Sequence, residues 1–230
     1  MNIIQAPSPN FNDRADGKNI RHLILHYTDL PSGADAVAWM RNPDKKVSSH
    51  YMVDLDGSTT QLVAEEKRAW HAGQSFWEGE TDINSTSIGI EIQNTGHSLG
   101  YVPFPDIQIE AVMDLCLGII ARHNIQPRHV LAHSDIAPAR KIDPGHLFPW
   151  QKLAQNNIGL WPKDGRAPAE EHDILPALAQ FGYDTSLPIQ QLISAFQRHF
   201  EPEVFELEDT SGHISPRTLA RLSGLISALK

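Results

Sequence analysis

The order of its apolar runs constrains the fold of this chain more than any other feature of the sequence. The segment IRHLILHYT, residues 20–28, is β-branched and apolar, which predicts a buried strand, and ADAVAWMRN after it has helical spacing. The segment SHYMVDLDGSTTQLV carries an Asp56-Gly57 turn between two strand-like runs. Such a turn predicts a β-hairpin.

Two further strands and a long helix follow. In SIGIEIQN, residues 87–94, the isoleucines alternate with polar or small residues, so Glu91 projects from the face opposite the apolar one. Residues 105–124 have apolar side chains at helical spacing, and RHVLAHS predicts a strand that ends at His133. The order strand, helix, hairpin, strand, helix, strand predicts an α/β fold, with a mixed central β-sheet flanked by helices.

The composition changes after about residue 160. The segment WPKDGRAPAEEH supplies proline, glycine and charge without periodicity, which is typical of a linker. Three amphipathic segments follow it, DILPALAQFGY, PIQQLISAFQRHF and SPRTLARLSGLISAL, and Ser215 is the expected N-cap of the last. We therefore predict two domains, residues 1–162 and a small three-helix domain of residues 163–230.

The composition and net charge of the chain exclude some kinds of protein and of binding partner. With 40% hydrophobic and 20% charged residues in 230, the chain is globular, and its net charge of −9 argues against nucleic acid as a partner. No run predicts a transmembrane segment, and Cys116 is expected to be a buried small hydrophobe. The first residues do not resemble a signal peptide, which predicts a cytoplasmic protein; a chain that had lost a leader or lipid anchor would instead be periplasmic or associated with the outer membrane. We expect a monomer.

Two histidines and one aspartate stand at strand ends or in the loops that follow them: His26, His133 and Asp143. Two neutral imidazoles and a carboxylate leave a fourth tetrahedral position for water, as in catalytic zinc sites, whereas structural sites are closed and rich in cysteine. The chain has one cysteine, which excludes the usual structural sites. Zinc polarises an amide carbonyl and lowers the pKa of its bound water from about 15.7 to roughly 7. The pattern predicts Zn²⁺ as cofactor and hydrolysis as the reaction.

Most of the 12 histidines are expected to bind no metal. We interpret His22, His123 and His129 as partly exposed surface groups and His50 as a buried structural histidine.

Four segments, in this order along the chain, resemble the zinc-dependent N-acetylmuramoyl-L-alanine amidases of the bacterial AmpD and AmiD type. They are HYTD at 26–29, AWHAG at 69–73, SIGIEIQN at 87–94 and AHSDIAPARKIDPG at 132–145. The match runs roughly through residues 20–162, and the helical segment with AFQRHF is similar to the peptidoglycan-binding-like domain of AmiD-type members. The resemblance implies a fold shared with peptidoglycan-recognition proteins. It also implies hydrolysis of the amide bond between N-acetylmuramic acid, or its 1,6-anhydro form, and L-alanine of the stem peptide.

The resemblance also implies roles for single residues. The zinc ligands of the family fall on His26, His133 and Asp143, its catalytic acid/base glutamate on Glu91, and its catalytic lysine on Lys141. In an extended segment residues i and i+2 point the same way, so Lys141 and Asp143 of RKIDPGH can address one site before Pro-Gly turns the chain away. For substrate binding we expect Asn94 to hydrogen-bond the sugar or stem peptide and His71 to line the cleft.

Several alternatives stay open. The chain could be a non-catalytic peptidoglycan-recognition module, although such modules usually lose a zinc ligand, or a metallohydrolase of another substrate, such as an N-deacetylase. The substrate can be polymeric peptidoglycan or a soluble anhydro-muropeptide. The enzyme can serve to recycle the wall, to remodel it or to attack the wall of a rival. The C-terminal helices either bind wall or cover one side of the catalytic domain. His146 stands where the family often has proline, and it is expected to alter substrate contacts or compete as a metal ligand.

Overall fold

The computed structural model describes residues 2–163, 174–206 and 211–229, within which strands and helices alternate. The strands are β1 (Ile3–Gln5), β2 (Phe11–Asp13), β3 (His22–Tyr27), β4 (Tyr51–Val53), β5 (Thr59–Gln61), β6 (Lys67–Ala69), β7 (Ser87–Ile92) and β8 (Val130–Ala132). The helices are α1 (Gly33–Arg41), α2 (Ile83–Thr86), α3 (Gly96–Leu99), α4 (Asp106–His123), α5 (His133–Ile136), α6 (Trp150–Gln155), α7 (Ile174–Phe181), α8 (Ile189–Phe200) and α9 (Pro216–Ala228). Short 3₁₀ turns occur at Pro43–Lys45, Pro127–His129 and Pro202–Phe205.

Six strands form one sheet in the order β1-β5-β4-β7-β3-β8. Every neighbouring pair is parallel except β4 and β5, the antiparallel hairpin that turns at Asp56-Gly57. A separate antiparallel pair joins β2 to β6. The predicted mixed sheet, its hairpin and its flanking helices are therefore confirmed, whereas the short strands β1, β2 and β6 were not predicted.

The central strands bury a different set of side chains on each face of the sheet. Leu23 and Leu25 of β3 join the alternating isoleucines of β7 in one apolar cluster with α4, where Cys116 is fully buried as expected. Ile24 of β3 and Leu131 of β8 belong to a second cluster on the other face. Because successive side chains alternate between faces, His22 and His26 lie on the same side of β3 as Ile24.

The three predicted C-terminal helices are present as α7, α8 and α9, and their apolar side chains belong to the second cluster, the one that contains Ile24. The buried His199 of α8 contacts Asp135 of α5 at 2.7 Å, and the Tyr183 hydroxyl donates to the same carboxylate at 2.7 Å. As expected, Ser215 caps α9 by accepting a hydrogen bond from the amide of Thr218. Residues 164–173, which include most of the predicted linker at 161–172, lie outside the described residues, and the division into two domains stays a prediction.

Within the described residues, no helix combines the length and the apolar composition needed to cross a membrane.

Candidate active site

Three side chains converge at the carboxyl end of strands β3 and β8. His26 is the penultimate residue of β3, His133 begins α5 directly after β8, and Asp143 lies in the loop that follows α5. The two Nδ1 atoms are 2.9 Å apart, and Asp143 Oδ2 is 3.1 Å from His26 Nδ1 and 3.0 Å from His133 Nδ1. All three side chains are buried. The structure thus brings together the three residues that were predicted as metal ligands.

A chain of hydrogen bonds fixes which nitrogen of His26 carries its proton. The Ser87 hydroxyl donates to the Ile83 carbonyl at 2.6 Å, so its oxygen is left to accept from His71 Nε2 at 3.1 Å. Nδ1 of His71 is then an acceptor, and it lies 3.0 Å from His26 Nε2, which must donate to it. His26 Nδ1 therefore presents a lone pair to His133 and Asp143.

The second imidazole is oriented in the same way. His133 Nε2 lies 3.2 Å from the Ala72 carbonyl oxygen and donates to it, which leaves the lone pair of His133 Nδ1 on the side of the cluster. Two imidazole lone pairs and a carboxylate oxygen thus face one another at about 3 Å, as donors to a shared cation do. This donor set fits a divalent metal ion such as zinc.

The charge states of the cluster suit metal binding. Burial lowers the pKa of His26 to about 4, and the neighbouring His133 acts in the same direction, so His26 is neutral at pH values above this. Burial alone would raise the pKa of Asp143, but the two imidazoles beside it outweigh that effect and hold the pKa well below its ordinary value. At neutral pH the site therefore offers an uncharged His26 and an ionised carboxylate.

Glu91 stands beside this cluster on β7, in register with His26 on β3. Its Oε2 atom is enclosed by protein and has no hydrogen-bond partner among the described residues. Burial raises the pKa of Glu91 well above its ordinary value, the charge of Asp143 raises it further, and the charge of Lys141 opposes both. A buried carboxylate oxygen without a partner is costly for stability, and such groups occur at functional sites.

Lys141 and Asp143 line the same cleft, as their spacing in RKIDPGH predicts. Tyr101 holds the turn after them: its hydroxyl donates to the Pro144 carbonyl at 2.8 Å. Gly145 has a φ of 87°, and a Cβ atom there would lie 2.4 Å from the Tyr101 hydroxyl oxygen. This position therefore requires glycine both for its backbone and for the close approach of the tyrosine.

The cleft has a volume of about 510 Å³ and contains residues that the sequence did not single out: Tyr27, Asp29, Trp39, His97 and Arg140. Trp39 is 43% exposed beside the cleft. Arg140 Nη2 donates to the Ala72 carbonyl at 2.5 Å and to the Gln74 carbonyl at 2.6 Å, and a Cβ at Gly73 would lie 2.9 Å from this nitrogen. The glycine of AWHAG therefore makes room for Arg140, a relation that only the fold reveals.

The two residues predicted to bind substrate have other partners in the structure. His71 is 5% exposed, and both of its ring nitrogens are engaged, one with His26 and the other with Ser87. The Asn94 side chain is 1% exposed; it donates to the Val102 carbonyl at 2.8 Å and accepts from the Gly96 amide at 3.0 Å. Contact of His71 and Asn94 with substrate stays a prediction.

The burial and contacts of three other histidines can be compared with what the sequence predicted for them. His50 is fully buried, and its Nδ1 accepts from the Gly89 amide at 2.9 Å, so the structural role expected for it is confirmed. His146 is not part of a metal-donor cluster within the described residues, and its ring stacks on Phe205. The expectation that His22 is a partly exposed surface group was wrong, because His22 begins a central strand and is 0% exposed.

Comparison with known proteins identifies the family. The family described as N-acetylmuramoyl-L-alanine amidase matches residues 16–146, the part of the chain that contains every residue of the cluster and Glu91. The chain belongs to this family. It is 44% identical over 219 residues to N-acetylmuramoyl-L-alanine amidase AmiD of Escherichia coli K12, a match that covers 82% of this chain and 78% of AmiD. The protein is therefore an enzyme, a hydrolase of peptidoglycan turnover.

Two solved amidase structures resemble the whole chain. The complex of E. coli AmiD with anhydro-N-acetylmuramic acid-L-Ala-D-γ-Glu-L-Lys has a TM-score of 0.81 and 37% sequence identity, and the match covers 94% of this chain and 92% of AmiD. AmpDh3 of Pseudomonas aeruginosa, in complex with anhydromuramic pentapeptide, has a TM-score of 0.79 and 33% identity, with 93% of each chain covered. The similarity to these two chains thus extends over the C-terminal helices as well as the sheet.

Proposed function

We propose that this amidase uses zinc to hydrolyse the amide bond between the lactyl group of N-acetylmuramic acid, or of its 1,6-anhydro form, and L-alanine of the stem peptide. The observation that carries the proposal is the convergence of three lone-pair donors with a lysine and a glutamate whose enclosed Oε2 has no partner among the described residues, all at one open cleft. Two relatives with this fold have been solved with anhydro-muramyl peptides, which fits the proposed substrate.

His26, His133 and Asp143 would hold the ion, and their buried setting keeps competing water away from the donor atoms. When bound, zinc supplies a Lewis acid that polarises the scissile carbonyl and makes a water molecule more acidic. The positive ion would also oppose the burial that raises the pKa of Glu91, so that Glu91 is ionised when it is needed as a base.

Glu91 accepts a proton from the attacking water as the water oxygen bonds to the carbonyl carbon. It then delivers this proton to the nitrogen of L-alanine as the carbon–nitrogen bond breaks, which yields a carboxylic acid on the sugar and a peptide amine. The second proton of the water stays on the new acid until it passes to the amine, which gives a carboxylate and an ammonium group at neutral pH. Lys141 stabilises the negative charge that develops on the carbonyl oxygen, an interaction that is stronger in the transition state than in the ground state.

The test is mass spectrometry of a soluble anhydro-muropeptide incubated with the zinc-loaded protein. We expect free L-alanyl peptide and peptide-free sugar. In Glu91→Gln we expect a rate lower by about 10²- to 10⁴-fold, the usual cost of removing a general acid/base. Glu110→Gln is the matched control, since it makes the same change at an exposed position on α4 and should leave the rate unchanged.

If the protein leaves the muropeptide unchanged but releases soluble peptide from intact sacculi, its substrate is restricted to the polymer. No turnover of either substrate, with the muropeptide still bound, would indicate the alternative of a non-catalytic recognition module.

A further inference from the structure

A second cluster of metal-binding side chains lies at the opposite end of the same two strands. His22 begins β3, His129 directly precedes β8, and Glu78 approaches them from the loop between β6 and α2. Their donor atoms all lie within 4.8 Å of one another. The His22 and His129 rings meet edge to face with centroids 4.9 Å apart, and His129 Nε2 is 3.0 Å from Glu78 Oε2.

The protonation of His22 leaves one nitrogen available to a cation. The Thr86 hydroxyl donates to Glu80 Oε2 at 3.0 Å, so the same oxygen accepts from His22 Nδ1 at 3.2 Å. Nε2 of His22 then carries a lone pair, is enclosed by protein, and has no hydrogen-bond partner among the described residues. Burial lowers the pKa of His22 to about 4, aided by the charges of His129 and Arg21, so proton binding does not consume this lone pair at neutral pH.

The cluster opens to solvent on its carboxylate side. The side chains of His129 and Glu78 are 15% and 26% exposed, so an ion can enter past them while His22 forms the buried wall. Arg128 pairs with Oε1 of Glu78, whereas Oε2 faces His129. This arginine and the nearby Arg21 oppose a cation electrostatically, while Glu80 favours one.

We propose that His22, His129 and Glu78 form a second binding site for a divalent transition-metal ion such as zinc. Two imidazoles and one carboxylate are donors that zinc prefers, and water would complete the coordination. The site binds more weakly than the His26, His133 and Asp143 cluster, because its carboxylate is shared with Arg128 and is more exposed to solvent than that of Asp143. It takes no part in the amidase reaction proposed above.

The test counts zinc bound per chain in equilibrium dialysis of the metal-free full-length protein, with zinc alone as the probe. We expect two equivalents at micromolar free zinc for the wild type and one for both His129→Gln and Glu78→Gln. His123→Gln is the matched control, because His123 and Arg122 share Glu65 in the same way but no third metal-donor side chain joins them within the described residues. It should retain two equivalents.

Nuclear magnetic resonance of the imidazole nitrogens locates the second ion, since coordination shifts the signal of His22 Nε2 directly. A single equivalent in the wild type, or a second equivalent that survives both His129→Gln and Glu78→Gln, would overturn the proposal. Asp143→Asn separates the two sites: it should remove the tighter equivalent and keep the signal change at His22. The test of the second metal site therefore does not depend on the outcome of the amidase assay.

Discussion

The two ends of the β3 and β8 strand pair carry the same residue spacing but are built differently. HLILH at 22–26 and HVLAH at 129–133 each place histidines four residues apart, so each end of the pair has two imidazoles. At about 3.3 Å per residue the ends are roughly 13 Å apart. At the carboxyl end the donors are within 3.1 Å of one another and buried, whereas at the amino end the side chains of His129 and Glu78 are 15% and 26% exposed.

The difference lies in what surrounds each imidazole pair. Among the described residues, the ion-pair partners of Asp143 are the two histidines of its cluster, whereas Glu78 divides its two oxygens between Arg128 and His129. Adjacent residues orient the imidazoles: Thr86 accepts from His22, and Ser87 acts on His26 through His71. A histidine pair in neighbouring strands thus supplies two of the donors. The affinity for a cation then depends on the carboxylate and on the cationic side chains that pair with it, as Arg128 pairs with Glu78.

The largest effect is expected from removing the C-terminal helices, because they cover the sheet face onto which both imidazole pairs project. A chain that ends at residue 162 would expose the second apolar cluster and leave Asp135 without His199 and Tyr183. Leaving a buried hydrogen-bonding group without its partners costs about 1–3 kcal/mol. We expect loss of cooperative thermal unfolding, and with it loss of zinc binding at both ends.

The milder variant Tyr183→Phe removes only one hydrogen bond to Asp135 and should cost about 1.5–3 kcal/mol. A truncated chain that stays folded and cleaves soluble muropeptide, but no longer binds sacculi, would instead show that residues 163–230 are a separate wall-binding domain.

The next largest effect separates the two ends. In Asp143→Asn the carboxylate of the tighter cluster becomes a neutral amide, and we expect its zinc affinity and the amidase rate to fall by more than about 100-fold, because even outer hydrogen-bond partners of zinc ligands contribute 10- to 100-fold. Glu78→Gln should leave the amidase rate unchanged. Chelator competition and muropeptide turnover measure the two quantities, and equal effects of both substitutions on turnover would contradict the comparison.

A smaller effect is expected from the two residues that orient the imidazoles. Ser87→Ala removes the acceptor for His71 Nε2 and should weaken zinc at the His26 cluster by about 10- to 100-fold. Thr86→Val removes the acceptor for His22 Nδ1 and should weaken only the ion at the amino end. In zinc titrations, Ser87→Ala should lower the affinity of the His26 cluster and Thr86→Val that of the His22 cluster. If Ser87→Ala kept wild-type affinity, the hydrogen-bond chain would not control the proton of His26.

The sequence predicted the sheet, the hairpin and the tight cluster because each leaves a local pattern. Strands of three residues such as β1 and β2 are too short to show periodicity. His71 packs against Gly89 on β7, where a Cβ would lie 2.5 Å from its ring, and no local pattern connects these distant segments. An amphipathic helix has the same spacing whichever surface it covers, so the packing of α7 to α9 on the sheet could not be read from their residues.

The smallest effect concerns the stability of the metal-free protein and its dependence on pH. A carboxyl group with a raised pKa in the folded state contributes stability at low pH, and this contribution is lost as pH rises above 4.5, the ordinary value, toward the folded pKa. Glu91→Gln removes a carboxyl group that destabilises the folded state as pH rises, because its buried site disfavours the ionised form. The metal-free variant should therefore unfold at a higher temperature than the wild type, and the difference should grow between about pH 5 and about pH 8. Thermal unfolding at both pH values measures this margin.

Zinc should reduce the margin, because its charge favours the ionised glutamate. At the amino end, Glu78 has its pKa lowered by the hydrogen bond from His129, so the metal-free Glu78→Gln variant should lose stability where Glu91→Gln gains it. If both substitutions changed the stability of the metal-free protein in the same direction, the ionised Glu91 would not reduce the stability of the fold. Opposite signs would mean that the fold tolerates an unpaired carboxylate oxygen at the end proposed for the reaction and gains stability from the carboxylate at the other end.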